Sequence, residues 1–350
     1  MNYNIAVLAG DGIGPEVTSQ AKKVLDKVAA KYQHKFNYTE ALMGACAIDE
    51  TGNPLPPETI DVCLNSDAVL FGAIGDPKYD NDPSAKVRPE QGLLALRKAL
   101  ELFANIRPVE CYPSLIDKAP LKAEIIKGTD FVIYRELTGG IYFGEKQLSE
   151  DQSFASDLCG YHQYEIERIA HLAFKAAQLR RNKVTLVDKA NVLESSRLWR
   201  RVVKEVASNY PEVSLDFLFV DNAAMQMVLN PSQFDVVLTE NMFGDILSDE
   251  GSVIGGSIGL LASASVGNKG ALFEPIHGSY PQAKGLDIAN PVASILSAAM
   301  LLEHLNLKEE ASSIRNAVMQ SLEAKVVTKD LDTDSTYGTE AVGSHIASLI

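Results

Sequence analysis

The sequence is poor in everything that builds a disulfide scaffold, a zinc site or a membrane span. It has four cysteines in 350 residues, Cys46, Cys63, Cys111 and Cys159, with no CxxC pair. That spacing fits reduced thiols in a cytoplasm better than a metal cage or a disulfide framework. No 20-residue apolar span exists. The longest uncharged run, Gly251 to Asn268, is rich in Gly, Ser and Ala and lacks the large side chains of a membrane helix. The N-terminus lacks a basic segment followed by an apolar one, which argues against secretion. Positive charge is also in deficit. Lys and Arg number 32 against 46 Asp and Glu, a net charge of −14, and such a surface repels nucleic-acid backbones. It does not repel a small anionic substrate that meets a local arginine cluster. No internal repeat or low-complexity linker is present, so the chain can cross a domain boundary twice without a compositional mark. What remains is ordinary globular composition, 46% hydrophobic and 22% charged, at a length suited to about two domains.

Strand-like and helix-like segments alternate. Ile5 to Leu8 reads as a buried strand, Gly10 to Gly14 as a loop, and Pro15 as the first turn of a helix running to about Ala30. Ala68 to Ile74, Val184 to Val187, Leu215 to Val220 and Asp235 to Thr239 read as further strands. Gly92 to Phe103 has the spacing of an amphipathic helix, and Val292 to Leu302 that of a buried one. This is an α/β pattern with a mostly parallel sheet. One segment departs from it. Phe131–Tyr134, Thr138-Gly139-Gly140 and Ile141–Phe143 read as an antiparallel hairpin or arm.

The glycine cluster Gly10, Gly12, Gly14 is not a dinucleotide fingerprint. It reads GxGxG with Pro15 at the third glycine's place, and Asp11 sets a negative charge where a pyrophosphate would lie; Glu40 as a ribose acid does not repair the spacing. Asp221 at a strand end and the pair Asp245 and Asp249, four apart on one helix face, are either a solvated acidic surface or a site for a hard cation, Mg²⁺ or Mn²⁺. Lys189 follows a strand directly, where open α/β sheets bind ligands; it is a surface charge or, beside a cation, a base. Arg97, Arg107 and Arg135 lie among apolar residues and are either ion-paired or a clamp for a di-anionic acid. Glu274 to Ser279 opens a loop closing at Asn290, in which His277 either meets a nucleotide or simply sits in a turn.

Taken together, GDGIGPEV (10–17), RPEQGLLALRKALELFANIRPV (88–109), YRELTGGIYFG (134–144), VDKANVLE (187–194), VDNAAMQ (220–226), TENMFGDILSDEGSVIGGSIG (239–259), FEPIHGS (273–279) and IANP (288–291) resemble the β-decarboxylating dehydrogenase family over essentially the whole chain. The resemblance implies a two-domain fold with mixed sheets that is not a standard Rossmann fold. The first domain would be 1–101 plus 256–350, and would bind the cofactor. The second would be 102–255, with a dimerisation arm at 131–143 and the metal and catalytic residues. The active site would lie in the cleft between the domains, completed by the second subunit of a homodimer. The resemblance further implies NAD and Mg²⁺ or Mn²⁺ as cofactors. Tyr142 and Lys189 would form the acid–base pair. Arg97, Arg107, Arg135 and Asp221 would bind substrate, and Asp221, Asp245 and Asp249 the metal. Pro77, Lys78, Glu90, Asn191, Glu274, His277, Gly278, Ser279, Gln282 and Asn290 would form the cofactor site in and around loops 77–90 and 278–290.

The substrate implied is a malate with an alkyl group at C3. Glu90, Leu93 and Leu94 would set that choice, the leucines either lining the pocket or lying in the helix core. Relatives acting on tartrate or malate, homoisocitrate or isocitrate are the alternatives. Gln282 departs from the acidic residue that NAD-using members commonly carry at this position.

Overall fold

A computed structural model describes residues 1–81 and 87–350. The expected cofactor loop 77–90 therefore lies in part, at 82–86, outside the described residues. The chain separates into two compact units, Met1–Leu102 with Gly256–Ile350, and Phe103–Gly255.

The first unit opens with β1 (Asn2–Gly10), α1 (Gly14–Tyr32), β2 (Lys35–Glu40), α2 (Ala45–Thr51), α3 (Pro57–Leu64), β3 (Ala68–Ala73), α4 (Pro77–Asp80) and α5 (Pro89–Ala99). The intervening unit holds β4 (Leu102–Glu110, which begins at the boundary), α6 (Ala123–Ile126), β5 (Asp130–Glu136), β6 (Lys146–Leu148), β7 (Ala155–Asp157), α7 (Gln163–Gln178), β8 (Lys183–Asp188), α8 (Glu194–Ala207), β9 (Ser214–Phe219), α9 (Val220–Leu229), β10 (Val236–Thr239) and α10 (Asn241–Ser252). The chain then returns to the first unit with β11 (Ala262–Gly267), β12 (Ala271–Pro275), α11 (Val292–His304), α12 (Lys308–Glu323) and α13 (Thr339–Ser348).

In the first unit the strand order is β2-β1-β3-β12-β11, parallel except for β11 against β12. Pro15 lies in the first turn of α1, and Gln33 ends the helix in the left-handed region at φ 57°, its N–H returning to Ala29. The buried face of α1, Val17, Ala21, Val24, Leu25 and Val28, follows helical spacing. Helix α11 is apolar all round and buried from Val292 to Leu302, which makes it the unit's central helix.

In the second unit the order is β4-β5-β10-β8-β9, parallel except for β4 against β5. Phe131, Ile133, Phe234, Val237 and Leu247 form its core with Val187.

Two expectations fail here. Phe131–Tyr134 is not the limb of a hairpin. It is the middle of β5, paired with β4 and β10, because its residues are buried on both faces. Ile141 and Tyr142 lie in a one-turn helix, Gly140–Tyr142, and the exposed two-stranded arm is instead β6 with β7, beyond 131–143. The helix read as Gly92 to Phe103 starts at Pro89 and stops at Ala99. Glu101 then takes a left-handed φ of 53°, and Leu102 and Phe103 begin β4.

Candidate active site

The second unit gathers five of the expected residues. Arg107 and Arg135 come from neighbouring antiparallel strands, β4 and β5, and Asp245 and Asp249 from successive turns of α10. Arg135 is buried. Its Nε donates to Asn241 Oδ1 at 3.0 Å and its Nη1 is paired with Asp245 Oδ1. The other oxygen of Asp245 accepts the Tyr142 hydroxyl at 3.0 Å, and the Arg135 guanidinium lies over the Tyr142 ring at 5.9 Å. Arg107 donates from Nε to Asn105 at 2.7 Å and from Nη1 to Ser248 at 2.5 Å and Asp249 at 3.3 Å. Burial first, then the hydrogen bond to Asp245, pushes the Tyr142 phenol above its ordinary value. The packing of α10 on Arg135 depends on Gly244, since a Cβ there would lie 2.6 Å from Arg135 Cγ.

Lys189 and Asp221 make a separate pair. Lys189 follows β8, and its Nζ donates to Asp221 Oδ1 at 2.7 Å. Asp221 does not end a strand as its sequence suggests. It lies in the first turn of α9, exposed, and the Lys189 ammonium lowers its carboxyl below the ordinary value. Asn191 is exposed nearby in sequence. Among the described residues no three His, Cys, Asp or Glu side chains come together as a metal cage. The donor set still suits a hard divalent cation, because Asp245 and Asp249 offer carboxylate oxygens on one accessible helix face.

The first unit holds the remaining candidates. Arg97, on α5, donates from Nη2 to Glu274 of β12 at 3.1 Å, while its buried Nε has no partner among the described residues. Along α5, Leu96 is fully buried, Leu93 packs against the same cluster, and Leu94 is 49% exposed. The two leucines thus differ: Leu93 is partly core and Leu94 is free to meet a ligand. Glu90 is exposed, its Oε1 facing Gly75. At the start of α4, Asp76 accepts the Lys78 N–H at 3.0 Å beside Pro77, and Lys78 Nζ donates to Asp49 at 2.6 Å.

Loop 277–290 forms one wall of a cavity of about 280 Å³, lined by His277, Gly278, Tyr280, Ile288, Asn290 and Asp330 among others. His277 Nε2 is buried with no partner among the described residues, and burial holds the imidazole below its ordinary pKa, hence neutral. That orphaned nitrogen and the mainly apolar walls suit a nucleotide base. Asn290 donates to Asp330 at 3.0 Å and accepts from Val292 at 3.0 Å, so both ends of its amide hold the loop. Gln282 is exposed on the short turn Pro281–Ala283, and Lys284 near it is exposed too.

The rejected glycine fingerprint has a structural explanation. Asp11 is buried and its carboxylate accepts the N–H groups of Ala45, Cys46 and Gly75 at 2.8–2.9 Å. A carboxylate of the protein itself thus occupies the N-terminus of α2. Gly12, at φ +57°, passes under Ser279, whose carbonyl would lie 1.9 Å from an added Cβ. The turn is therefore built to seat the His-Gly-Ser loop.

A family model described as isocitrate/isopropylmalate dehydrogenase matches residues 4–346. The chain belongs to this family. A 3-isopropylmalate dehydrogenase of Bacteroides fragilis is 57% identical over 352 residues, covering 100% of this chain and 99% of its own. One from Bacillus subtilis is 52% identical, covering 100% of this chain and 98% of its own. Among family structures, an isocitrate dehydrogenase from Methylococcus capsulatus superposes with a TM-score of 0.86 at 34% identity, covering 99% of both chains. A β-decarboxylating dehydrogenase from Thermococcus kodakarensis does so at 0.83 and 37%, covering 99% of this chain and 96% of its own. The fold is accordingly that of the family, with mixed sheets rather than the Rossmann arrangement. Sequence reasoning missed Gly244 and Ser248, both inside TENMFGDILSDE, where the signal was a small residue directly before Asp245 and a hydroxyl directly before Asp249.

Proposed function

We propose that this chain catalyses the oxidative decarboxylation of (2R,3S)-3-isopropylmalate to 4-methyl-2-oxopentanoate with reduction of NAD⁺, a step of leucine biosynthesis. The observation that carries this reading is the full-length 57% identity to a relative of that name. The triad of Arg135, Asp245 and Tyr142 supports it chemically.

In this reading Arg97, Arg107 and Arg135 hold the two substrate carboxylates. The unpartnered Arg97 Nε and the forked guanidinium geometry suit that task. Asp245 and Asp249, with Asp221 of the partner subunit, would hold Mg²⁺ or Mn²⁺. The cation would lower the pKa of the C2 hydroxyl and take up negative charge on that oxygen. NAD⁺, seated by His277, Gly278, Ser279, Gln282 and Asn290 with Pro77, Lys78, Glu90, Asn191 and Glu274 around it, would accept the C2 hydride.

Until ligands arrive, arginine and aspartate compensate each other's charge. If Asp245 were to hold a cation, Arg135, now paired with it, would be free to meet a substrate carboxylate. Lys189 would serve as the base for the C2 hydroxyl proton once its ammonium, no longer held by Asp221, has given a proton to solvent. Loss of CO₂ leaves an enolate, and Tyr142, kept protonated by its raised pKa, gives a proton to C3. Leu94, with Leu93 behind it, covers the isopropyl group. Glu90 lies on the same helix, four residues before Leu94. A third substrate carboxylate set against these leucines would cost several kcal/mol. This disfavours isocitrate.

We place the protein in the cytoplasm as a homodimer with shared sites. Its four cysteines are free, and no helix among the described residues is long and apolar enough to cross a membrane. The testing experiment is NADH formation from 3-isopropylmalate with NAD⁺ and Mg²⁺, run beside isocitrate and malate. Faster turnover of isocitrate would overturn the substrate assignment.

A further inference from the structure

Tyr161 has no role in the chemistry above, yet it touches the first residue of α10 and the turn that leads to Tyr142. It lies between β7 and α7. Its hydroxyl accepts the backbone N–H of Asn241 at 3.0 Å. Asn241 is the first residue of α10, and the first amides of a helix have no partner within it. The phenol therefore caps the helix that carries Asp245 and Asp249. The Asn241 side chain extends the link. Its Oδ1 accepts Arg135 Nε at 3.0 Å, and its Nδ2 donates to the Gly139 carbonyl at 3.2 Å.

The ring itself is wedged against the turn that leads to Tyr142. A Cβ on Gly140 would fall 2.3 Å from the phenol oxygen, and one on Gly139 would fall 2.7 Å from a ring carbon. Gly140 holds a φ of +76° and opens the single turn that ends in Tyr142. Behind, the ring meets Trp199 edge-on at 5.4 Å. Burial and the Glu240 carboxylate keep the phenol protonated. Glu136 secures the same turn independently, accepting the N–H groups of Thr138 and Gly139 at 2.9 and 2.7 Å.

We propose that Tyr161 is a positioning residue that fixes the N-terminus of α10, the Arg135 guanidinium and the Tyr142 turn in a single register. This inference rests on the roles given to Arg135 and Tyr142 under the proposed function. Its distinguishing consequence is that one remote hydroxyl governs substrate binding and turnover together, with no effect on the cofactor.

The test is Tyr161→Phe in the full chain, which keeps the ring and removes the hydroxyl. Tyr38→Phe, which deletes a hydroxyl bonded to Asp26 at 3.0 Å in the first unit, is the control. Losing a hydrogen bond of ordinary strength should raise KM for 3-isopropylmalate and lower kcat, each about threefold, or about tenfold in kcat/KM, with KM for NAD⁺ unchanged. Amide hydrogen exchange should quicken in segments 134–145 and 239–246, and neither effect should occur in the control. An active Tyr161→Phe enzyme with wild-type KM and kcat overturns the proposal, as does unchanged exchange in both segments. If the wild-type protein fails to oxidise 3-isopropylmalate, the proposed function falls, and the exchange measurement alone decides whether Tyr161 fixes the two segments.

Discussion

Tyr142 donates its hydroxyl hydrogen to Asp245 Oδ2 at 3.0 Å, while Arg135 takes the other oxygen of the same carboxylate. The phenol is shifted up from 10.0, chiefly by burial and then by Asp245. Its acid form is therefore complete at neutral pH and is lost only as pH rises past 10. Tyr142→Phe should lower turnover roughly 10²- to 10⁴-fold, the usual worth of a positioned acid. NADH absorbance checks this, and a variant within twofold of wild type would remove Tyr142 from the mechanism.

Asp245 and Asp249 share a helix face and are compensated in the free chain by Arg135 and Arg107. Chelation with EDTA should abolish turnover, and added Mg²⁺ or Mn²⁺ should restore it. Asp249→Asn should raise the cation concentration needed for half-maximal rate by at least about tenfold, the loss that follows even when only an outer-shell partner of a ligand is removed. Full activity in excess EDTA would reject a metal role for these carboxylates.

Much of this was legible in the sequence because it is written locally. The i,i+4 spacing of Asp245 and Asp249, the strand before Lys189 and the buried helix from Val292 all depend on near neighbours. The misread segments depend on distant ones. Phe131–Tyr134 looks like a hairpin limb until β4 and β10 are known to flank it. Leu102 and Phe103 continue the helical spacing of α5, and only the left-handed Glu101 ends it. Asp11 appeared to obstruct an anion site because the three amides it accepts come from residues 34 or more positions away. The Lys189–Asp221 pair, 32 residues apart, was likewise invisible as a pair.

The different environments of Leu93 and Leu94 allow pocket and core to be separated. Leu94→Ser should lower kcat/KM for 3-isopropylmalate more than for malate, by a factor corresponding to about 1–3 kcal/mol, with Tm unchanged. Leu93→Ser should lower Tm as well, since it packs against the core of the first unit. Equal losses on both substrates in the Leu94 variant would show that this leucine does not read the alkyl group.

Gln282 stands exposed on the turn beside Lys284, without a carboxylate to repel a 2′-phosphate. Gln282→Asp should raise the ratio of kcat/KM for NAD⁺ over NADP⁺ by about tenfold, equivalent to about 1.4 kcal/mol. An unchanged ratio would mean that another residue reads the ribose.

Lys189 and Asp221 pair with each other while Asp245 pairs with Arg135, and under the proposed function these two pairs serve one site from different subunits. Lys189→Met should be inactive, and so should Asp245→Ala. When the two variants are unfolded and refolded together, mixed dimers should form. In a mixed dimer one site collects both lesions. The other takes intact Asp245 from one subunit and intact Lys189 from its partner, and should turn over. With equal amounts and random pairing, about half the dimers are mixed and half their sites are intact, so activity should return to roughly a quarter of wild type. If both residues served a site from the same subunit, every site would carry a lesion. Mixed dimers confirmed by mass spectrometry but without activity would therefore assign Lys189 and Asp245 to one chain.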